Sequence, residues 1–175
     1  EVLTNWSSTK NNIILDFNYT ASTRLILKQC GLSDEDIDNR LIKVHGEASN
    51  NDIIFGVEDN AGIKKEHVFL RKAYNIKYKA LNFSELYDRI KSVAIFGHSL
   101  GETDHTYFNK LFQESCMYNK FSTNNNKEFW LFYYKENGYH CMMQQLDSLT
   151  HNSLTSFRQY NRVNFINTDK EKVFI

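Results

Sequence analysis

Ser92-Val93-Ala94-Ile95-Phe96-Gly97-His98-Ser99-Leu100-Gly101 is the stretch whose reading decides the fold class. Ser92 to Phe96 is a short, mainly apolar run of strand length, and the glycine-punctuated turn after it is polar, as at the carboxyl end of a buried strand. Just beyond, Thr103 or Asp104 is expected to cap a helix whose Tyr107, Phe108, Leu111 and Phe112 fall on one face at i, i+3 and i+4 spacing. A buried strand, a polar turn and an amphipathic helix make a β-α unit.

The same alternation extends outward in both directions. Ile13 to Phe17 reads as a strand, Asn18-Tyr19-Thr20 as a turn, and Ala21 to Cys30 as a helix with Leu25, Ile26 and Cys30 inward and Gly31 stopping it. Ser33 is placed to cap a short second helix. Leu41 to Gly46 reads as a strand ending in a His-Gly turn, and Asp52 to Val57 as the next strand. Lys64 to Tyr78 is mixed, and Ser84 opens a helix through Leu86 and Ile90. In the second half, residues 122–128 read as a loop, Phe129 to Tyr134 as a strand, Tyr139 to Leu149 as a helix and Val163 to Ile166 as a last strand. No internal repeat or coiled coil interrupts the pattern. The fold expected is α/β: three layers around a mainly parallel sheet, Rossmann-like, in a single domain spanning residues 1–175.

With 175 residues, 41% of them hydrophobic, the chain can bury one real core. Its 21 Lys and Arg balance 21 Asp and Glu, so no summed field draws it to nucleic acid or an anionic membrane. The aromatic run Phe129 to Tyr134 lacks the interleaved basic residues of a base-stacking surface and reads as strand instead. No window approaches the roughly 18 apolar residues of a spanning helix, which excludes a membrane role of that kind. Cys30, Cys116 and Cys141 are an odd number without a Cys-x-x-Cys pair, which suggests a reducing, cytoplasmic setting. His67, His105, His140 and His151 show no paired ligand spacing, so no metal site is expected.

Ligands of open α/β sheets gather at the carboxyl ends of strands, where backbone amides and helix N-termini point outward. Three polar motifs fall there: Asp16-Phe17-Asn18-Tyr19-Thr20, Val44-His45-Gly46-Glu47, and Gly97-His98-Ser99-Leu100-Gly101-Glu102-Thr103-Asp104. The last matches the Gly-x-Ser-x-Gly nucleophile elbow of serine hydrolases, with Ser99 as nucleophile. Its triad would need Asp147 with His151, or Glu114 or Glu128 with His140 or His151. The bulky Tyr107 and Phe108 beyond the turn do not suit such an elbow.

Taken together, Leu15-Asp16-Phe17-Asn18-Tyr19-Thr20, Val44-His45-Gly46 with Ile54-Phe55-Gly56, and Phe96 to Asp104 followed by Tyr107-Phe108 resemble the AbiH family of phage abortive-infection proteins. The resemblance spans roughly residues 12 to 166, and the motifs are similar to those of the sirtuin-like NAD-binding fold. It implies a phage-defence protein that binds or hydrolyses NAD. His45 would be the general base and Asn18 would position water or substrate. Tyr19, Gly46, Gly97, His98 and Ser99 would hold the cofactor, and Asp104 would be an outer contact or a helix cap. The implied partners are a nucleotide or NAD-like small molecule, a second copy of the chain, or a phage protein acting as trigger. Family members open with a Gly-Asn-Gly-Phe-Asp-like phosphate-binding turn that is missing before Asn18, so an upstream segment carrying it is expected. Thr20 stands where many sirtuin-like proteins have Asp. A module that keeps the scaffold but only senses nucleotide or binds a partner is the alternative.

Overall fold

The computed structural model describes residues 12–54, 56–57, 61–71, 74, 87, 89–117 and 126–170. The expected helix opening at Ser84, much of the segment to Tyr78 and most of the loop 122–128 lie outside them. The chain divides into two compact units, with described residues 12–74 in the first and 87–170 in the second.

In the first unit, β1 (Ile14–Asp16) pairs in parallel with β2 (Leu41–Lys43), Asp16 lying opposite Lys43. Ladder bonds extend the pairing at both ends, from Ile14 N to Arg40 O and from Val44 N to Asp16 O, each 2.9 Å. The crossover carries α1 (Ser22–Gln29) and α2 (Asp34–Asp38). Ser33 caps α2 as expected, its hydroxyl accepting from Asp36 N at 3.1 Å. Arg24 pairs with Asp34 and Asp38, and Lys28 with Asp34, across the two helices. These pairs are solvent-facing and contribute little to stability.

Two expectations fail here. Leu27 is the buried residue of α1, while Leu25, Ile26 and Cys30 are exposed. The apolar residues are consecutive, so they spread around the helix and leave its rotational phase undetermined. Asp52 to Val57 makes no strand among its described residues: Ile54 N is drawn back to His45 O at 2.9 Å, and only Val57 bridges Arg71.

In the second unit β3 (Ser92–Ile95), β4 (Glu128–Tyr133) and β5 (Arg162–Asn167) form a parallel sheet in that order. Helix α3 (His105–Ser115) connects β3 to β4, and α4 (Lys135–Leu149) with α5 (Leu154–Tyr160) connects β4 to β5. The face predicted for α3 is the buried one: Tyr107, Phe108, Leu111 and Phe112 are all nearly inaccessible. Phe112, Phe129 and Phe157 meet with ring centroids 4.7 to 5.6 Å apart and join α3, β4 and α5 into one core. Parallel pairing with helical crossovers in both units is the α/β class expected, consistent with a three-layer Rossmann-like arrangement.

Buried polar groups close the amino edge of this sheet. Lys127, 1% exposed, donates to Tyr87 O and Ile90 O at 2.6 and 2.8 Å. Asn161 accepts from Lys127 N and donates to Ser115 O and Phe157 O at 2.7 and 2.8 Å. Asn161→Ala would strand three buried backbone groups, a loss of about 2–4 kcal/mol. Urea unfolding followed by circular dichroism checks this; an unchanged midpoint would show that these bonds are replaceable.

Candidate functional site

The first unit brings Asn18, Tyr19, His45 and Gly46 together. Because β1 and β2 are adjacent and parallel, the turns after both strands emerge at one edge. The His45 ring lies edge-on to Phe17 at 5.4 Å and stacks with Tyr19 at 5.9 Å between centroids. That arrangement leaves His45 only 5% exposed, while Tyr19 is 37% exposed above it.

The Asn18 turn is held from beneath. Asp16, 4% exposed at the end of β1, accepts from Asn18 N at 2.9 Å and Asn18 Nδ2 at 3.2 Å through Oδ1. Its other oxygen accepts from Lys43 Nζ at 2.8 Å. Lys43 Nζ also donates to Asn18 O at 2.6 Å and Thr20 O at 2.7 Å. The carbonyl between them, Tyr19 O, accepts from Ala48 N at 2.8 Å. Three consecutive carbonyls are thus each held by a donor from the β2 side. Sequence reading quoted Asp16 only as part of a motif and did not single out Lys43. A Lys one strand position opposite an Asp is a signal only once the parallel register is known.

Gly46 occupies the left-handed region at φ +75°. A Cβ there would stand 2.1 Å from Asp52 O, closer than any atom tolerates. Beside it Glu47 N donates to Asp52 Oδ1 at 2.6 Å, so residues 52–54 fold back against the His-Gly turn. The glycine is demanded by this close approach.

The second unit carries Gly97, His98, Ser99 and Asp104 at the carboxyl end of β3. His98 Nδ1 accepts from Leu100 N at 2.9 Å, which fixes the Nε2–H tautomer, and Nε2 lies 3.3 Å from Asp104 Oδ2. Asp104 is the residue before α3, yet it makes no side-chain cap bond and its carboxylate faces His98. His105 Nε2 joins Leu100 O at 3.0 Å and Gln145 Oε1 at 2.9 Å, tying the turn to α3 and α4.

This turn is not built as a nucleophile elbow. Its left-handed non-glycine residue is Leu100, at φ +55° with its side chain fully buried, and not Ser99. Among the described residues no imidazole is hydrogen-bonded to Ser99: His151 Nε2 contacts Gln113 and His140 faces Glu136. No group of three metal-ligating side chains occurs among the described residues, and none of their helices is long and apolar enough to cross a membrane.

The fold is that of a parallel α/β protein, with a buried histidine just beyond the end of one strand. The family described as bacteriophage abortive infection AbiH matches residues 3–134, and the chain belongs to it. No curated protein and no solved structure matches the chain.

Proposed function

We propose that the chain serves abortive infection in the cytoplasm by binding NAD at the β1–β2 edge, in the manner of a sirtuin-like site, and hydrolysing it. The observation that carries this reading is the delivery of Asn18-Tyr19 and His45-Gly46 to the same edge of adjacent parallel strands, with Tyr19 against His45. These residues suit the nicotinamide-ribose end of the dinucleotide. Asn18 gives one amide N–H to Asp16, which holds its carboxamide at this edge, and the carboxamide oxygen and second N–H are the groups that would orient a water.

In the reaction, water oxygen bonds to the ribose C1′ as the C1′–N bond breaks, and nicotinamide leaves with the electron pair. His45 takes the water's proton. Positioning of water and stabilisation of the oxocarbenium-like centre supply the rate. A phage protein or a second copy of the chain is the trigger that this reading calls for.

Nicotinamide release from NAD by the full-length protein tests it. His45→Ala should lower the rate by roughly 100-fold or more, and Ser99→Ala, which removes a single hydroxyl from the implied cofactor-binding set, should lower it far less. The low exposure of His45 favours a second reading, a nucleotide sensor without turnover. An NAD-dependent rise in melting temperature without nicotinamide release would establish that one, and neither release nor a melting shift would end both.

A further inference from the structure

We infer that Lys43 is the positioning residue of this site: it sets the Asn18–Thr20 turn so that Tyr19 lies against His45. The inference rests on the site proposed above for its functional meaning, but its geometry stands alone.

An ammonium has three N–H donors. Lys43 directs them at three oxygens within 2.8 Å: Asp16 Oδ2, Asn18 O and Thr20 O. The Glu47 carboxylate, 3.8 Å from the same nitrogen, adds a second negative charge beside it. Lys43 therefore has no donor left for a phosphate or a substrate carbonyl, and its side chain is only 16% exposed. Its acceptors flank Tyr19 on either side, so one nitrogen fixes the direction in which the Tyr19 ring leaves the turn. Asp16, 2% exposed at its side chain, needs that cation, because an unpaired buried carboxylate is costly. The carboxylate in turn holds Asn18 by both backbone and side-chain nitrogen. Sequence position, charge and register converge: Asp16 stands directly opposite Lys43 in the ladder.

A lysine that only stabilised the unit would shift melting without moving the rings. The decisive readout is the set of nuclear Overhauser cross peaks between the His45 and Tyr19 ring protons in the full-length protein, with Lys28→Met, a surface lysine, as control. In Lys43→Met these peaks should disappear while the Phe112–Phe129 peaks of the other unit persist. In Lys28→Met all should remain. Where the wild type releases nicotinamide, Lys43→Met should lower kcat roughly 10- to 100-fold, and Lys43→Arg should recover part of it. Intact Tyr19–His45 peaks in folded Lys43→Met, or an unchanged kcat, overturn the proposal. Should Lys43→Met fail to fold, Asp16→Asn keeps the side-chain shape and carries the same measurement: peaks lost support the proposal, peaks kept overturn it. If the wild type releases no nicotinamide, hydrolysis falls while the ring contacts still decide the role of Lys43.

Discussion

Phe129→Ala should remove about a third or more of the stability of the second unit. Phe129 is fully buried on β4, and its ring touches both Phe112 of α3 and Phe157 of α5. Truncating a core phenylalanine costs about 3–5 kcal/mol through lost transfer energy and the cavity left behind. Losing two aromatic pairs belongs to the upper part of that range, since such pairs contribute about 0.5–1.5 kcal/mol each beyond area. Against the roughly 5–15 kcal/mol that holds a domain together, the loss is about a third of the whole or more. Thermal unfolding should shift down by about 15 °C or more. Phe129→Leu keeps most of the volume and should cost much less. Equal shifts for the two variants would show that ring geometry, and not volume, holds this layer.

That core was legible because its signals are periodic. Tyr107, Phe108, Leu111 and Phe112 define a face wherever the helix boundaries fall, and the run at Phe129 is too short for a helix and rich in the aromatics of a strand. The failures share the opposite property. In α1 the apolar residues are adjacent, so pattern alone could not choose Leu27 over Leu25 and Ile26. Helix α5 went unread because its seven residues bury a single aromatic, Phe157, which has no period. Helix α4 starts at Lys135 and not at Tyr139, since its first turn runs through Gly138, a residue that reads as a stop.

At the candidate site, the motifs marked the right places but not the bonds. Asn18 and His45 were singled out because their motifs, at strand ends, resemble those of the AbiH family and the sirtuin-like fold. Asp16 and Lys43 were not, because their partnership exists only in the parallel register that sets them side by side. His98 was legible as a turn residue. That it would use Nδ1 on Leu100 N and face Asp104 with Nε2 depends on Leu100 adopting a left-handed backbone, which no pattern announces. The Gly-x-Ser-x-Gly match has the letters of an elbow and a different placement of its strain.

Gly46→Ala should strongly disrupt the first unit. Two costs combine. The left-handed backbone at φ +75° disfavours any Cβ by about 1–2 kcal/mol. The new carbon also cannot share space with Asp52 O, 2.1 Å away, so residues 52–54 must withdraw. Their withdrawal breaks Glu47 N to Asp52 Oδ1 and Ile54 N to His45 O, about 1 kcal/mol each. The sum is about 3–4 kcal/mol, and it falls on the bonds that anchor His45. Gly31 separates the two costs: it has φ +87° but open space where a Cβ would go. Gly31→Ala should therefore show the backbone cost alone, about 1–2 kcal/mol. Hydrogen exchange at Ile54 N reads the difference directly, since that amide is bonded to His45 O. In Gly46→Ala its protection should fall at least about tenfold below that in Gly31→Ala, a factor worth about 1.4 kcal/mol. Equal protection in the two variants would mean that residues 52–54 do not press on the His-Gly turn. His45 would then be held by its aromatic neighbours, Phe17 and Tyr19, and the turn carrying Tyr19 would become the element on which the imidazole depends.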